Sequence, residues 1–355
     1  MNKYFFATTL GVAVLVASNA NALELGAPIQ VPVTLSKSAL QAGAMSTKPV
    51  MLMNIKLSPK QYNSLFAVAP TVMPSLQLDT GLPASAQLGM NEVPVLDQGM
   101  HGTCVTFAVT GALDALIGKG DYISQLCSLE LGSELKKNSY LPSGWNGSFG
   151  SIILDQIGRF GIVSKATQTT KTCAGVAEYP TREPRNVGKP MSLEEHRGLS
   201  ENLNQKLFAR ELLNAYHRFN ASFANTQDAE EAFLQTKKAL VKGNRLSFGT
   251  LLVLSPFCNA GACATHRLKK DTWALTSEIA KPDQVGGHEM IITGYDDDAI
   301  ALDQEGKSHK GLFTLRNSWG SNVGDHGNFY MTYDYFKKFV MEVYEITKFK
   351  DTETL

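Results

Sequence analysis

The chain has 355 residues, of which 43% are hydrophobic, and this is enough to bury a core of ordinary globular size. Its 33 basic residues balance its 33 acidic residues, so the formal net charge is zero. Since no basic stripe is interleaved with aromatic residues, we expect no nucleic-acid partner, and the charge balance does not favour binding to a membrane surface.

The first 22 residues have the pattern of a secretory signal peptide. Lys3 is followed by an apolar run from Phe5 to Ala17, and small residues stand at Ala20 and Ala22. A membrane anchor is the alternative, but the run is shorter than the roughly 20 residues that span a bilayer, and no later stretch is long and apolar enough. We therefore expect residues 1–22 to be removed and the protein to be secreted or periplasmic, with no part in the membrane.

Residues 23–81 form a separate segment of the sequence, in which a predicted strand and a predicted helix are followed by a predicted loop. The run Val50–Ile55 predicts a strand, and Ser58 with Pro59 supplies the N-cap and the first position of a helix. A loop rich in proline, serine, threonine and glycine follows over 69–84, where a protease could cut. We interpret 23–81 as a prosegment that blocks a cleft; the alternative is an integral part of the core or a partner-binding extension.

Helices dominate the middle of the chain. Small and apolar residues predict a helix over Cys104–Ile117, and Ser192 with Glu195 makes a capping box that predicts another as far as Phe219. Three further helices are predicted, at Ser124–Asn138, Ser151–Phe160 and Gln227–Val241. We expect a helical insertion at about 174–225.

The pattern changes to strands from Leu246 onwards. Apolar, β-branched or alternating runs separated by turns predict an antiparallel sheet in the last third, in LSFGTLLVL, MIITGY, GLFTLRNS and NFYMTY. Helices followed by strands are typical of the α+β class.

Five cysteines follow the signal peptide, and in an oxidising compartment an odd number leaves one thiol unpaired. The short spacing of Cys258 and Cys263 favours a local disulfide, which leaves Cys127 to pair with Cys173. A zinc site at Cys258 and Cys263, with His266 nearby, is the alternative, although no second ligand pair of zinc-finger spacing exists. We expect disulfides and no metal.

The unpaired thiol is then Cys104, where a glycine-punctuated loop enters a helix. Backbone N–H groups and the helix dipole at such a position lower a thiol pKa and ready it for attack; the alternative is a buried structural cysteine. Among seven histidines, His288 is the candidate base, because it follows two glycines and opens a rigid strand. Asn317 is suited to orient its imidazole, and Trp319 to shield that contact from water.

Three motifs together resemble the papain-like (C1) cysteine peptidases: QGMHGTCVTF over 98–107, GGH over 286–288 and NSWG over 317–320. They stand in the family's order of Cys, His and Asn, and GYDDD over 294–298 is most similar to bacterial members. The resemblance implies a two-lobe fold, with a helical lobe and an antiparallel, β-barrel-like lobe on either side of the active-site cleft. It also implies peptide-bond hydrolysis through a thioester acyl-enzyme, without a cofactor.

Residue by residue, the resemblance implies that Cys104 is the nucleophile, His288 the base and Asn317 the residue that orients it. It implies a Cys–His ion pair in the resting enzyme and an oxyanion hole made by the Gln98 amide and the backbone N–H of Cys104. Trp319 would cover the contact between His288 and Asn317. Three residues would bind the substrate: Gly147, Ser148 and Gly287.

The sequence also departs from the family pattern. A family disulfide beside the nucleophile is absent, because its two positions correspond to His101 and Trp145. The usual helical prosegment signature is missing from 23–81. These differences do not affect the residues of the predicted triad. They concern the walls of the predicted cleft and the type of prosegment.

We therefore predict a secreted cysteine peptidase made as a zymogen, with its peptidase domain at 82–350 and a short tail at 351–355. We expect a peptide or protein substrate and a monomer. Two alternatives stay open: a non-catalytic peptide-binding protein on the same fold, and an acyl transferase, such as a transpeptidase or deamidase, that uses the same triad.

Overall fold

The computed structural model describes residues 24–36, 46–66, 81–139, 141–182, 190–202, 207–220, 226–280 and 284–348. The predicted signal peptide at 1–22 and the tail at 351–355 lie outside these ranges, as does most of the loop in which we expect a protease to cut.

Up to residue 200 the described helices agree with the predicted ones, except for a short helix over Lys165–Lys171 that was not predicted. In chain order they are α1 (Pro59–Phe66), α2 (Cys104–Ile117), α3 (Gln125–Lys137), α4 (Gly150–Phe160), α5 (Lys165–Lys171), α6 (Leu193–Leu199), α7 (Ala215–Asn220), α8 (Thr226–Val241) and α9 (Tyr333–Phe339). Helix α3 begins where the Ser124 side chain accepts from Cys127 N, and α2 ends at Gly118 in the left-handed region, with φ of 74°. Among the described residues, no helix has the length and apolar character needed to cross a membrane.

The strands form one large, mainly antiparallel sheet. They are β1 (Glu24–Thr34), β2 (Thr47–Lys56), β3 (Ser85–Gln87), β4 (Leu207–Leu213), β5 (Arg245–Leu254), β6 (Thr272–Trp273), β7 (Gln284–Leu302), β8 (Ser308–Arg316), β9 (Asn328–Thr332) and β10 (Val340–Lys348). Their main order is β4-β10-β5-β7-β8-β9-β6, in which only β6 and β9 pair in parallel. The α+β class and the β-rich last third are confirmed.

Helix α2 packs directly on this sheet and lies between it and the other helices of the helical lobe. Small residues allow the close approach: a Cβ on Gly111 would lie 3.0 Å from Ile291 Cδ1 on β7. Nearly every residue of α2 is buried, as expected for a helix that is covered on all sides. Its first residue, Cys104, is therefore held against the sheet. The expected arrangement of a helical lobe beside a β-rich lobe is confirmed.

The prediction of one long helix from Ser192 to Phe219 is wrong. The capping box exists, since Glu195 N donates to Ser192 Oγ over 3.1 Å, but α6 ends at Leu199. Strand β4 follows and pairs with the edge of β10, where Arg210 forms an ion pair with Glu345 at 2.7 Å. The side chains of LFARELL alternate in exposure over most of its length, which is the period of a strand. The expected helical insertion at about 174–225 is therefore mixed in structure.

Strands β1 and β2 pair antiparallel, and together they are called the N-terminal hairpin below. This hairpin touches the main sheet where Met53 faces Gly287 on β7. Its side chains Val33, Val50 and Leu52 are fully buried. The following helix α1 is also anchored, because Gln61 Nε2 donates to the carbonyl of Phe219 over 3.0 Å. Much of the segment that we interpret as a prosegment is thus packed against the rest of the chain.

Two disulfides join Cys127 to Cys173 and Cys258 to Cys263, with Cα–Cα distances of 5.2 and 4.6 Å. The zinc alternative at Cys258 and Cys263 does not occur, because the two sulfurs are bonded to each other. His266 Nδ1 instead lies 2.7 Å from the carbonyl oxygen of Ile300.

Candidate active site

Cys104 is the first residue of α2 and the free cysteine of the chain, and its side chain is fully buried. The N-cap residue Thr103 makes no side-chain cap, so it does not compete for the N–H groups of the first turn. Backbone N–H groups of Cys104, Val105 and Glu289 hydrogen-bond the sulfur and lower its pKa. Burial has the larger effect, and it raises the pKa of the Cys104 thiol to about 12. In this form the thiol is protonated.

His288 stands on β7 and is also fully buried. Its Nε2 lies 2.8 Å from Asn317 Oδ1, an oxygen that also accepts from Ser318 N at 2.7 Å. Because that amide oxygen accepts from the backbone, His288 Nε2 carries the hydrogen and donates it. His288 Nδ1 is therefore the basic nitrogen, and within the described ranges it has no hydrogen-bond partner. This is the tautomer that a base for a thiol proton requires.

Trp319 covers the hydrogen bond between His288 and Asn317. Its ring lies over the imidazole, with centroids 4.7 Å apart and planes inclined by 25°. The rings of Trp273 and Phe329 pack against Trp319 in turn, at 6.4 and 5.5 Å. Only 1% of Trp319 is exposed, so water has little access to the contact that orients the histidine.

Strand β7 places Cys104 and His288 in the same region of the molecule. The N–H group that reaches the sulfur of Cys104 belongs to Glu289, the residue directly after His288. The thiol therefore lies beside the strand that carries the imidazole. These two residues are 184 positions apart in the sequence, and the packing of α2 on β7 brings them to the same strand.

Gln98 is buried beside this pair and is held by Ser318. Gln98 N donates to the Ser318 carbonyl at 2.8 Å, and Ser318 Oγ donates to Gln98 Oε1 at 2.8 Å. With its oxygen engaged, the Gln98 side chain presents its NH2 group on the other side, where it donates to the carbonyls of His101 and Met51 at 2.8 and 3.2 Å. Ser318 was not singled out in the sequence, although it stands inside the NSWG motif.

The N-terminal hairpin occupies the surface around these residues. The Met53 side chain lies between two predicted substrate-binding glycines, since a Cβ on Gly147 would be 3.0 Å from its Cγ and one on Gly287 would be 3.1 Å from its Cε. Gly147 has φ of 116°, a conformation that favours glycine. Lys48 Nζ reaches Asp97 at 2.6 Å and the Trp319 carbonyl at 3.1 Å. The hairpin thus contacts Gln98, the Trp319 carbonyl and both glycines.

Ser148, the third predicted substrate-binding residue, is fully buried. Its hydroxyl makes no hydrogen bond within the part of the chain that the structure describes. The structure places it next to Gly147 but shows no contact with the hairpin.

One family model matches the C-terminal part of the chain. Residues 275–354 match the model of the Peptidase C1-like family, and the matched range includes His288, Asn317 and Trp319. The predicted resemblance to the C1 peptidases is confirmed over this range. No curated protein matches significantly.

Solved structures of cysteine proteases align with between 76% and 88% of this chain. Xylellain from Xylella fastidiosa aligns with a TM-score of 0.46 and 19% identity, over 76% of this chain and 87% of its own. The proform of Amb a 11, a ragweed pollen allergen, aligns with a TM-score of 0.44 and 15% identity, over 82% of this chain and 74% of its own. Procathepsin L 3 of the Tenebrio molitor larval midgut aligns with a TM-score of 0.44 and 15% identity, over 88% of this chain and 85% of its own.

The charge state of Cys104 and His288 differs from the ion pair that the resemblance implies. Burial lowers the pKa of His288 to about 4, although its hydrogen bond to Asn317 acts in the opposite direction. With the Cys104 thiol protonated as well, both groups are neutral at neutral pH. The ion pair is therefore not the state of the site while the hairpin covers it.

A buried pair of carboxyl groups lies beside the site and was missed in the sequence. Glu289 and Glu342 stand on either side of Gly249 in three adjacent strands, and a Cβ on Gly249 would be 2.6 Å from Glu289 Oε2. Ser247 Oγ donates to Glu289 at 2.5 Å, and Gly150 N donates to Glu342 at 2.9 Å. Burial raises the pKa of both carboxyls. The charge of Glu342 raises the pKa of Glu289 further, whereas the hydrogen bond with Glu289 lowers that of Glu342. The glycine inside an apolar strand was the available signal, since it marks a close approach.

Proposed function

We propose that the chain is a cysteine peptidase that hydrolyses peptide bonds with Cys104, His288, Asn317 and Gln98. His288 Nδ1 takes the proton of the Cys104 thiol, and the sulfur attacks the carbonyl carbon of the substrate. The resulting oxyanion accepts hydrogen bonds from Gln98 Nε2 and the N–H of Cys104. When it collapses, the imidazolium gives its proton to the leaving amine, and a thioester remains.

Water completes the reaction. His288 takes a proton from the water molecule, the hydroxide attacks the thioester carbon, and the Cys104 sulfur leaves as the acid product forms. Asn317 keeps Nδ1 directed to the reacting groups throughout, because it holds the hydrogen on Nε2. Gly147 and Gly287 leave room for the backbone of an extended substrate between the two lobes.

One observation carries this proposal: the tautomer of His288, set by Asn317 Oδ1 at 2.8 Å, on the strand whose next N–H reaches the Cys104 sulfur. A structural cysteine has no need for an oriented base or for a tryptophan that excludes water from it. A binding module likewise has no need for a second amide, Gln98, directed to the same place.

We also propose that the chain is a zymogen in which the N-terminal hairpin blocks the site. The carbonyl of Met51 accepts from Gln98 Nε2 at 3.2 Å, so it fills the position that we assign to the oxyanion. Met53 fills the space between Gly147 and Gly287. Covering the site also removes water from it, which keeps the thiol and the imidazole neutral. Cleavage within 69–84 followed by release of the hairpin would open the cleft and allow the ion pair to form.

Export of the chain is part of the same proposal. The two disulfides suit an oxidising compartment, and the first 22 residues have the composition of a signal peptide. Peptides or proteins outside the cytoplasm would then be the substrates.

The test uses the full chain before and after limited proteolysis within the predicted loop at 69–84. We expect hydrolysis of a fluorogenic peptide library only after cleavage, lost in Cys104→Ala and in His288→Ala. His217→Ala is the matched control, because that histidine is exposed on α7. Labelling of Cys104 by an epoxide without any peptide hydrolysis would refute the peptidase. Transfer of the acyl group to an added amine in preference to water would favour the acyl transferase.

A further inference from the structure

Tyr179 is a half-buried tyrosine that packs behind the loop leading to the nucleophile. Its ring is stacked on Trp145, with planes 4° apart and centroids at 5.9 Å. Phe107 and His101 meet it edge to face, at 5.0 and 5.8 Å. Tyr179 comes from the proline-bearing segment after Cys173, which the catalytic proposal does not use.

The hydroxyl of Tyr179 joins two parts of the active-site loop. It donates to the backbone carbonyl of Gln98 at 2.9 Å, and it lies 2.9 Å from Thr103 Oγ1. Since the Gln98 carbonyl can only accept, the single hydrogen of the phenol is used there, and the Thr103 hydroxyl donates to Tyr179. The loop is thus tied at both ends, at the oxyanion residue and at the residue before Cys104.

The two residues after Tyr179 continue along the same loop. The Thr181 carbonyl accepts from Met100 N at 3.3 Å, and the Pro180 carbonyl lies 2.7 Å from His101 Nε2. A Cβ on Gly99 would lie 2.1 Å from the Thr181 oxygen, so the two backbones are in direct contact. Residues 179–181 are called the strap below. The strap contacts four consecutive loop residues, 98–101.

The segment that precedes the strap is anchored to the helical lobe. Cys173 is bonded to Cys127 of α3, and both are fully buried. Gln168 Nε2 of α5 donates to the carbonyl of Ala177 at 2.8 Å, which holds the chain just before Tyr179. The strap therefore transmits the rigidity of α3 and α5 to the loop. His101 and Trp145 lie in the same place, and their rings meet edge to face with centroids 5.1 Å apart. These are the two positions that correspond to the missing family disulfide.

We propose that Tyr179 is a positioning residue for the oxyanion hole, acting through the backbone of Gln98 and resting on the peptidase activity proposed above. Donors to an oxyanion must be held in place before the reaction, because reorganisation during it costs rate. The phenol hydroxyl fixes the Gln98 backbone from one side, as Ser318 fixes it and its side chain from the other.

The test compares Tyr179→Phe with wild type in the proteolytically opened enzyme. Phenylalanine keeps the ring packing and removes both hydrogen bonds of the hydroxyl. We expect kcat on a peptide amide to fall about ten-fold with KM nearly unchanged, a fraction of the loss that follows removal of a whole oxyanion donor. Alkylation of Cys104 by iodoacetamide needs no oxyanion hole, so its rate should change by less than about two-fold. Tyr216→Phe is the control, because Tyr216 is 46% exposed on α7.

A double-mutant cycle separates positioning from general stability. In a Gln98→Ala background, Tyr179→Phe should lower kcat by less than about two-fold, because the group that it positions is gone. An equal loss in both backgrounds would overturn the proposal, as would an unchanged kcat in the single variant.

Hydrogen exchange tests the strap without relying on activity. In the inactive Cys104→Ala chain, Tyr179→Phe should speed the exchange of backbone amides over 98–104 and leave those of β8 unchanged. Unchanged exchange over 98–104 would overturn the proposal even if no peptide substrate were found. Absence of hydrolysis by the opened wild type would instead refute the peptidase.

Discussion

Met53 offers a direct way to loosen the N-terminal hairpin without altering the catalytic residues. Its side chain is fully buried between Gly147 and Gly287. Truncating a buried methionine to alanine costs roughly 2–5 kcal/mol, as lost transfer free energy and as a cavity. If about 2 kcal/mol of this comes from the contact with the two glycines, the uncovered fraction rises about 30-fold, since about 1.4 kcal/mol is a factor of ten.

Alkylation of the one free thiol measures the uncovered fraction directly. We expect Met53→Ala to raise the initial rate of Cys104 alkylation by iodoacetamide about 30-fold in the uncut chain, with the intact N-terminus verified by mass spectrometry. Gln30→Ala is the control, because Gln30 is an exposed residue of the same hairpin. Equal rates in Met53→Ala and wild type, with the fold retained, would mean that the hairpin does not control access to the nucleophile.

Three further outcomes follow from the contacts described. Asn317→Ala should lower kcat of the opened enzyme roughly 10- to 100-fold, because His288 loses the acceptor that fixes its tautomer; an unchanged kcat would contradict the role. Lys48→Ala should raise alkylation of the uncut chain by no more than about five-fold, since partly exposed ion pairs contribute roughly 0.2–1 kcal/mol, and the difference should shrink in high salt. Burial raises the pKa of Glu342 from 4.5 to about 7, so the folded chain keeps a proton that the unfolded chain releases, and stability falls as pH rises through that window. Glu342→Gln should reduce this fall by about 3 kcal/mol in urea unfolding, since one pKa unit corresponds to about 1.4 kcal/mol, and an identical pH dependence in both proteins would contradict it.

The sequence predicted those features that depend on local patterns. Cys104–Ile117 is helical because small and apolar residues run up to a glycine that ends the helix, and β5 and β7 are strands because their apolar runs are long and β-branched. The candidate triad was found because each member stands in a short motif. The structure places His288 on β7 and the Cys104 sulfur beside the N–H of the next residue, Glu289, and the catalytic roles of these residues stay a prediction.

Features that depend on distant contacts were not predicted. Strand β4 was taken for helix because its sequence also suits a helix, and pairing with β10 decides between the two. The role of Tyr179 was not predicted, because the hydrogen-bond partners of its hydroxyl lie 76 and 81 residues away in the sequence. The position of Met51 opposite Gln98 likewise depends on how the hairpin packs against the rest of the chain, and no sequence motif indicates it.

The complete burial of Cys104 has a consequence for how the chain matures. Disulfide exchange proceeds through the thiolate, and a thiol whose pKa is raised to about 12 is almost entirely protonated. In the zymogen that we propose, the fifth cysteine would therefore compete poorly with the other four as they pair. The hairpin would then protect the Cys104 sulfur from oxidation and mispairing as well as from substrates.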